Sequence, residues 1–186
     1  VFFSDGVTSG IVGTNGYRPW GIVPPKPTVA LIAGELVAGA YLVTTTYIRR
    51  NGLESGASPV VSHTSNGAQG IQVTMPASND PLYERWRVYV SDPNGEVAYL
   101  VATMSLADSV ANITQLPAER TLTPRTLRCG PMPAGQVLGY YKGRLYVAKN
   151  NELWYSLPYE FELTHRAMNF IGHTSPIKTF AACSDG

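Results

Sequence analysis

Gly39-Ala40-Tyr41-Leu42-Val43-Thr44-Thr45-Thr46-Tyr47-Ile48 is the stretch whose reading decides the fold. Tyr, Val, Thr and Ile fit a pleated surface better than a helix, where branching at Cβ costs χ1 freedom. With a side-chain period of two, Tyr41, Val43, Thr45 and Tyr47 share one face, and Leu42, Thr44, Thr46 and Ile48 share the other. Turn chemistry follows at once in Asn51-Gly52 and Ser55-Gly56. A helix is excluded here and a long strand is expected.

Working outward, Val29 to Ile32 is a short apolar strand before a turn around Gly34 to Ala38. Pro59 to His63 starts a return strand that Asn66-Gly67 closes. Ile71, Val73 and Met75 then alternate with Gln72 and Thr74, so one side is buried and the other wet. Arg85 to Val90 places Trp86, Val88 and Val90 inward, with Arg85, Arg87 and Tyr89 outward. Asp92-Pro93-Asn94-Gly95 signals a hairpin, and Glu96 to Thr103 returns with Val97, Tyr99 and Val101 on one face. Ser109 to Ile113 ends the series. About seven strands with turns every ~8–12 residues predict an Ig-like antiparallel sandwich.

The flanks read differently. Residues 1–24 hold a strand, Val1 to Ser4, and a Gly-rich connection, before the stiff spacer Pro24-Pro25-Lys26-Pro27. The sandwich is expected over 25–117. A Pro-rich linker or arm follows over 118–134, and a β-meander over 135–186. In the meander Gln136 to Tyr141, Arg144 to Ala148 and Glu152 to Ser156 are joined by tight turns, as in a propeller blade. Ile177 to Cys183 reads as a strand of a next blade, and Tyr159 to Met168 hints at a helix behind Pro158. Val1-Phe2-Phe3-Ser4 repeats the phrase Leu153-Trp154-Tyr155-Ser156, the mark of a repeat array interrupted by a guest module. The start without Met reads as a piece of a longer chain. The expected fold is all-β: an antiparallel sandwich flanked by blade-like meander strands.

Composition agrees. Of 186 residues 44% are hydrophobic and only 15% charged, against ~25% in an average domain. Eighteen Gly, 14 Pro and 11 Tyr favour short strands and turns. A net charge of +1, with Lys and Arg scattered except at Arg49-Arg50, argues against a nucleic-acid partner. No apolar run approaches the ~18–20 residues of a membrane span, so membrane insertion is not expected.

Chemistry-bearing motifs are sparse. His63, His165 and His173 have no ligand-like spacing, and no GxSxG elbow is present. Cys129 and Cys183 lie outside any CxxC spacing; they could pair, but two buried free thiols are the expected state. Asp80, Glu84, Asp92 and Glu96 offer carboxylates that could pair across a hairpin as glycosidases require, against turn capping and solvated faces as the ordinary reading. Asn112-Ile113-Thr114 matches a glycosylation pattern that chance often supplies. No catalytic, cofactor-binding or metal-binding residue is therefore expected. Interface candidates remain. Arg18 and Trp20, on a Gly-rich connection, could anchor a neighbouring subunit or pack at the domain boundary. Tyr83, Tyr140 and Tyr141, read as exposed aromatics on the sandwich loops, could contact a glycan. Phe2, Phe3, Trp154 and Tyr155 could stack sugars or fill a blade core.

Gly39 to Tyr47 followed by Asn51-Gly52-Leu53-Glu54-Ser55-Gly56, with the hairpin Arg87 to Glu96, resembles a fibronectin type III-like module of phage tail and fibre proteins. Gly143-Arg144-Leu145-Tyr146-Val147-Ala148 through Leu153-Trp154-Tyr155-Ser156 resembles a blade of a propeller-like virion protein of tailed phages. The resemblance implies a structural, non-enzymatic virion component in tail, baseplate, fibre or neck. Its partners would be other virion proteins and copies of itself in a symmetric assembly, and possible contact with a host surface glycan is part of the same expectation. The alternatives are a carbohydrate- or receptor-binding module and an accessory fragment of a secreted polysaccharide-active enzyme.

Overall fold

The computed structural model describes residues 1–14, 16–78, 80–181 and 183. The fold is all-β. Its strands are β1 (Phe2–Ser4), β2 (Ser9–Gly13), β3 (Gly16–Pro19), β4 (Thr28–Leu36), β5 (Gly39–Arg49), β6 (Val61–Ser65), β7 (Gln69–Thr74) and β8 (Tyr83–Ser91). They continue with β9 (Ala98–Ser105), β10 (Val110–Ile113), β11 (Cys129–Pro131), β12 (Val137–Tyr141), β13 (Arg144–Lys149), β14 (Glu152–Tyr155), β15 (Leu163–His165) and β16 (Phe170–Gly172). All pairings among them are antiparallel. The chain divides into two compact units, Val1–Ile22 with Arg128–Gly186, and Val23–Leu127.

The second unit is a sandwich of two sheets, ordered β10-β7-β4 and β6-β5-β8-β9. Its core follows the alternation in the sequence: Tyr41, Val43, Thr45 and Tyr47 on β5, Ile71 and Val73 on β7, Met75 after it, and Trp86, Val88 and Val90 on β8 are all buried. The Thr45 hydroxyl lies 3.3 Å from Met75 Sδ, and Tyr47 OH donates to the Pro76 carbonyl at 2.6 Å, so the two layers meet there. The other face of β5 is buried as well, at Thr44, Thr46 and Ile48. Residues 54–58 lie along the edge of β5 where β6 ends: Ser55 N donates to the Tyr47 carbonyl, and Ser58 N to the Thr45 carbonyl.

Tyr89 is buried where period-two reading turned it outward. Its hydroxyl donates to the Glu54 carboxylate, which also accepts from Thr46 Oγ1 at 2.6 Å. A polar tip that finds a buried acceptor removes the reason for placing it in water. The expected linker over 118–134 also resolves differently. Its first part stays on the sandwich, with Leu100 N donating to the Leu122 carbonyl at 2.7 Å and the Arg120 guanidinium held against Asp92 and 6.0 Å from the Tyr99 ring centre. Its last part contains β11, which pairs with β15. Proline content signals extended chain without saying whether that chain lies on a surface.

The first unit is closed by both flanks of the chain. It holds the sheets β1-β2-β3, β12-β13-β14-β16 and β11-β15. Its core is Trp20, Met132, Leu145 and Val147, with Phe2, Ile11, Leu138, Trp154 and Phe161 packed against them. Lys142 (φ 43°) and Gly143 (φ 75°) turn β12 into β13 with positive φ at both central residues, as a two-residue type I′ turn requires. Ser4 and Ser156 play matched parts at the ends of β1 and β14. Ser4 Oγ exchanges two bonds of 2.8 Å with the Gly135 backbone, and Ser156 Oγ accepts from Leu145 N at 3.0 Å. No helix forms over Tyr159 to Met168. Tyr159 has φ 59°, outside the helical range, and the segment runs through turns into β15. Nor is Ile177 to Cys183 a strand among the described residues; the fourth neighbour in the meander sheet is β16.

Candidate functional site

Trp20 is a core residue of its own unit, not an anchor for a neighbour. It is 2% exposed, and its Nε1 donates to the Gly10 carbonyl at 2.7 Å. Arg18 forms a two-pronged bond with Glu162, each arm 2.7 Å, and Glu162 also accepts from Gly21 N at 2.9 Å. A planar guanidinium matches a carboxylate in this way, so the pair fixes the exit of β3 on the segment before β15. Tyr83 is buried too, its ring 5.6 Å from Tyr47 and 5.0 Å from the Arg49 guanidinium. Trp20 and Tyr83 therefore act inside the protein, while Arg18 is engaged by Glu162 with its side chain still partly exposed. The Gly-rich connection is itself ordered, because β2 and β3 pair across it as a hairpin.

Tyr140 and Tyr141 behave otherwise, and they lie on β12 of the first unit, not on the sandwich loops where they were expected. Both line one open cavity of about 240 Å³ with Gly139, Tyr146, Leu153, Phe180 and Ala181. Register explains the set. Gly139 pairs with Tyr146, Tyr146 with Tyr155, and Ala148 with Leu153, so these residues share the face opposite the core residues Leu138, Val147 and Trp154. Tyr140 belongs to the core-side alternation at the edge strand, meets Phe161 edge-on at 5.7 Å, and remains 61% exposed. The Arg144 guanidinium lies 5.3 Å from the Tyr155 ring, and Lys142 Nζ lies 5.0 Å from Tyr141, which gives the face a cationic rim. Tyr146, Gly139 and Phe180 were not among the sequence candidates. Alternation along β13 separates Tyr146 from Val147, but only the register brings Gly139 beside it.

Groups with catalytic potential are engaged structurally. Asp80 lies 3.9 Å from Arg49, Glu84 lies 3.3 Å from Arg50, and Asp92 meets Arg120, so these three carboxylates each face an arginine. Cys129 stands opposite His165 in the β11–β15 ladder, a pairing that sequence spacing hides. Burial pushes the Cys129 thiol up, with the Glu160 charge adding to it, the wrong direction for a nucleophile. Both cysteines are free, and Cys183 is exposed, unlike its expected burial. Among the described residues no group of three or more His, Cys, Asp or Glu is placed to hold a metal ion, and no helix is long and apolar enough to cross a membrane. Phe2 and Trp154 pack on the core, as blade-core residues would, whereas Phe3 lies on the partly exposed side, 5.6 Å from the Tyr17 ring. No protein-family model matches the chain, and no curated protein matches it.

Proposed function

We propose that this chain is a structural component of a tailed-phage particle that works through protein–protein assembly. The observation that carries the reading is the division of the chain: a sandwich of residues 23–127 spliced into a unit closed by residues 1–22 and 128–186. That is the guest-in-array organisation implied by the two resemblances. In this reading the sandwich is of fibronectin III type. The order β6-β5-β8-β9 supports it, while β10, added beside β7, is this chain's own departure. The host strands are then blade-like, with β1 and β14 as equivalent strands of neighbouring sheets.

Assembly needs surfaces, and an edge strand offers one. Among the described residues β4 pairs on one side only, with β7. From Thr28 to Gly34 it has neither charge nor proline, and Leu31 is 47% exposed. Such a strand lacks the usual protection against edge pairing. Sedimentation velocity over a dilution series tests the reading: weak, concentration-dependent self-association is expected. A tight closed dimer unaffected by dilution overturns it.

The gathering of Tyr140, Tyr141 and Tyr146 around one cavity favours, as a second reading, a host-glycan contact at that site. A glycan array with the Tyr146→Ala variant as control decides between them. Tyrosine-dependent binding supports the second reading, and no binding removes it.

A further inference from the structure

One face of the sheet β12-β13-β14-β16 combines aromatic rings, a hollow and two cations. Register sets Tyr141 opposite Arg144, Gly139 opposite Tyr146, and Tyr146 opposite Tyr155, so these residues share that face. Position 139 adds no side chain to it, and Phe180 comes close there. A Cβ built on Gly139 would fall 2.9 Å from Phe180 Cζ and nearer still to Cε2. Gly139 is not at positive φ, so glycine serves the approach of that ring and not backbone freedom. Phe180, Tyr141, Tyr146 and Leu153 then line the cavity of about 240 Å³.

The cations stand beside this hollow. Lys142 is exposed at the β12–β13 turn, with Nζ 5.0 Å from the Tyr141 ring. The Arg144 guanidinium lies 5.3 Å from the Tyr155 ring, and its Nη1 donates to the Ser156 carbonyl at 2.6 Å. That bond fixes the group and uses one of its five N–H donors. Among the described residues neither cation is in an ion pair, whereas Arg18, Arg49, Arg50, Arg85, Arg87 and Arg120 all are. The cavity lining holds no carboxylate. Of the tyrosine hydroxyls on this face, Tyr141 donates to the Cys183 carbonyl and Tyr155 to the Met168 carbonyl. The Tyr146 hydroxyl has no hydrogen-bond partner among the described residues.

A hollow of this size is below the ~300–1,000 Å³ of pockets for drug-sized molecules, so it suits a single ring. Aromatic faces take an apolar ring face, unpaired cations favour an anion, and a free hydroxyl favours a polar substituent. A pyranose ring that carries a carboxylate meets all three demands. We infer that this face binds such an acidic sugar, its ring on Tyr146 and Tyr141 and its carboxylate against Arg144 and Lys142. The inference rests on the glycan-contact reading above and names the class of sugar that site takes. Arginine matches a carboxylate with paired donors, whereas lysine acts as a mobile point charge, so Arg144 orients the ligand and Lys142 attracts it.

D-glucose and D-glucuronate test it, because they differ only at C6, a hydroxymethyl in one and a carboxylate in the other. NMR titration of the full chain is expected to show glucuronate binding about tenfold tighter than glucose, the scale of one charge-assisted bond partly screened by water. Lys142→Gln and Arg144→Gln should each bring that ratio towards parity and leave the glucose affinity unchanged, an outcome that loss of folding does not give. Tyr146→Ala should weaken both sugars alike. Salt at about 1 M, where the Debye length is about 3 Å, should also shrink the ratio. Equal affinity for the two sugars in the wild type, or a preference that survives both cation variants, overturns the acidic-sugar inference and leaves the glycan reading standing. Failure of either sugar to bind at millimolar concentration overturns both.

Discussion

Trp20→Ala is the sharpest test of how the first unit is held together. The ring is 2% exposed and sits among Met132, Leu145 and Val147, with Phe2, Ile11, Leu138, Trp154 and Phe161 around them. Residues from both flanks of the chain therefore meet on it. Truncating a fully buried large aromatic costs about 3–5 kcal/mol, because the site loses transfer energy and keeps a cavity. The lost Nε1 bond to the Gly10 carbonyl adds about 1 kcal/mol. Against a typical domain stability of about 5–15 kcal/mol, that is enough to leave the unit marginal. For a unit of this size each kcal/mol moves the midpoint by about 4–8 °C, so a fall of at least about 15 °C is expected. Trp20→Phe, which keeps most of the ring and loses the bond, should cost about 1–2 kcal/mol. Calorimetry reads the midpoint, and sedimentation of the same samples reads association. The reasoning is refuted if Trp20→Ala leaves unfolding within about 0.5 kcal/mol of wild type, the range of surface changes, and weakens only association.

Further outcomes follow from the same physics. Glu162→Gln should destabilise the first unit by about 2–3 kcal/mol in urea unfolding, because it removes the charge from a carboxylate that takes both arms of Arg18; the partial exposure of Arg18 keeps the loss below that of a fully buried pair. Tyr89 has its pKa pushed up to about 12 from an ordinary 10, first by burial and then by its bond to Glu54. The folded form holds that proton longer, so the contribution is intact below pH 10 and is lost as pH rises toward about 12. Tyr89→Phe should flatten that part of the pH-stability curve for the sandwich. Gly70→Val should destabilise the sandwich by about 1–3 kcal/mol in the same assay, since a Cβ there falls 2.7 Å from the Ile113 carbonyl oxygen on the neighbouring β10.

The strands of the sandwich were legible because alternation and turn residues agree along most of its length. Gly39 to Ile48 reads correctly from its own side chains, and Ile71, Val73 and Met75 fall inside as their spacing requires. What could not be read locally was set by partners far along the chain. Tyr89 goes inward because Glu54 waits for its hydroxyl, and β10 joins β7 although β9 precedes it. Residues 118–127 look like a linker until Leu122 is seen to bond Leu100. The candidate residues divide on the same ground. Tyr140 is exposed and Tyr141 half-buried, whereas Trp20 and Tyr83 look much like them in sequence and differ in what covers them. The Gly139–Phe180 contact spans two segments with no shared pattern, and only register and close approach expose it.

We propose above that the chain serves as a repeated part of a tailed particle. Immunogold labelling of purified tailed particles, with antibody raised against the sandwich of residues 23–127, tests it most directly. Label in a fixed, symmetric position on every particle is the expected result. Purified particles that carry no label, from infected cells in which the antibody detects the chain, would contradict it.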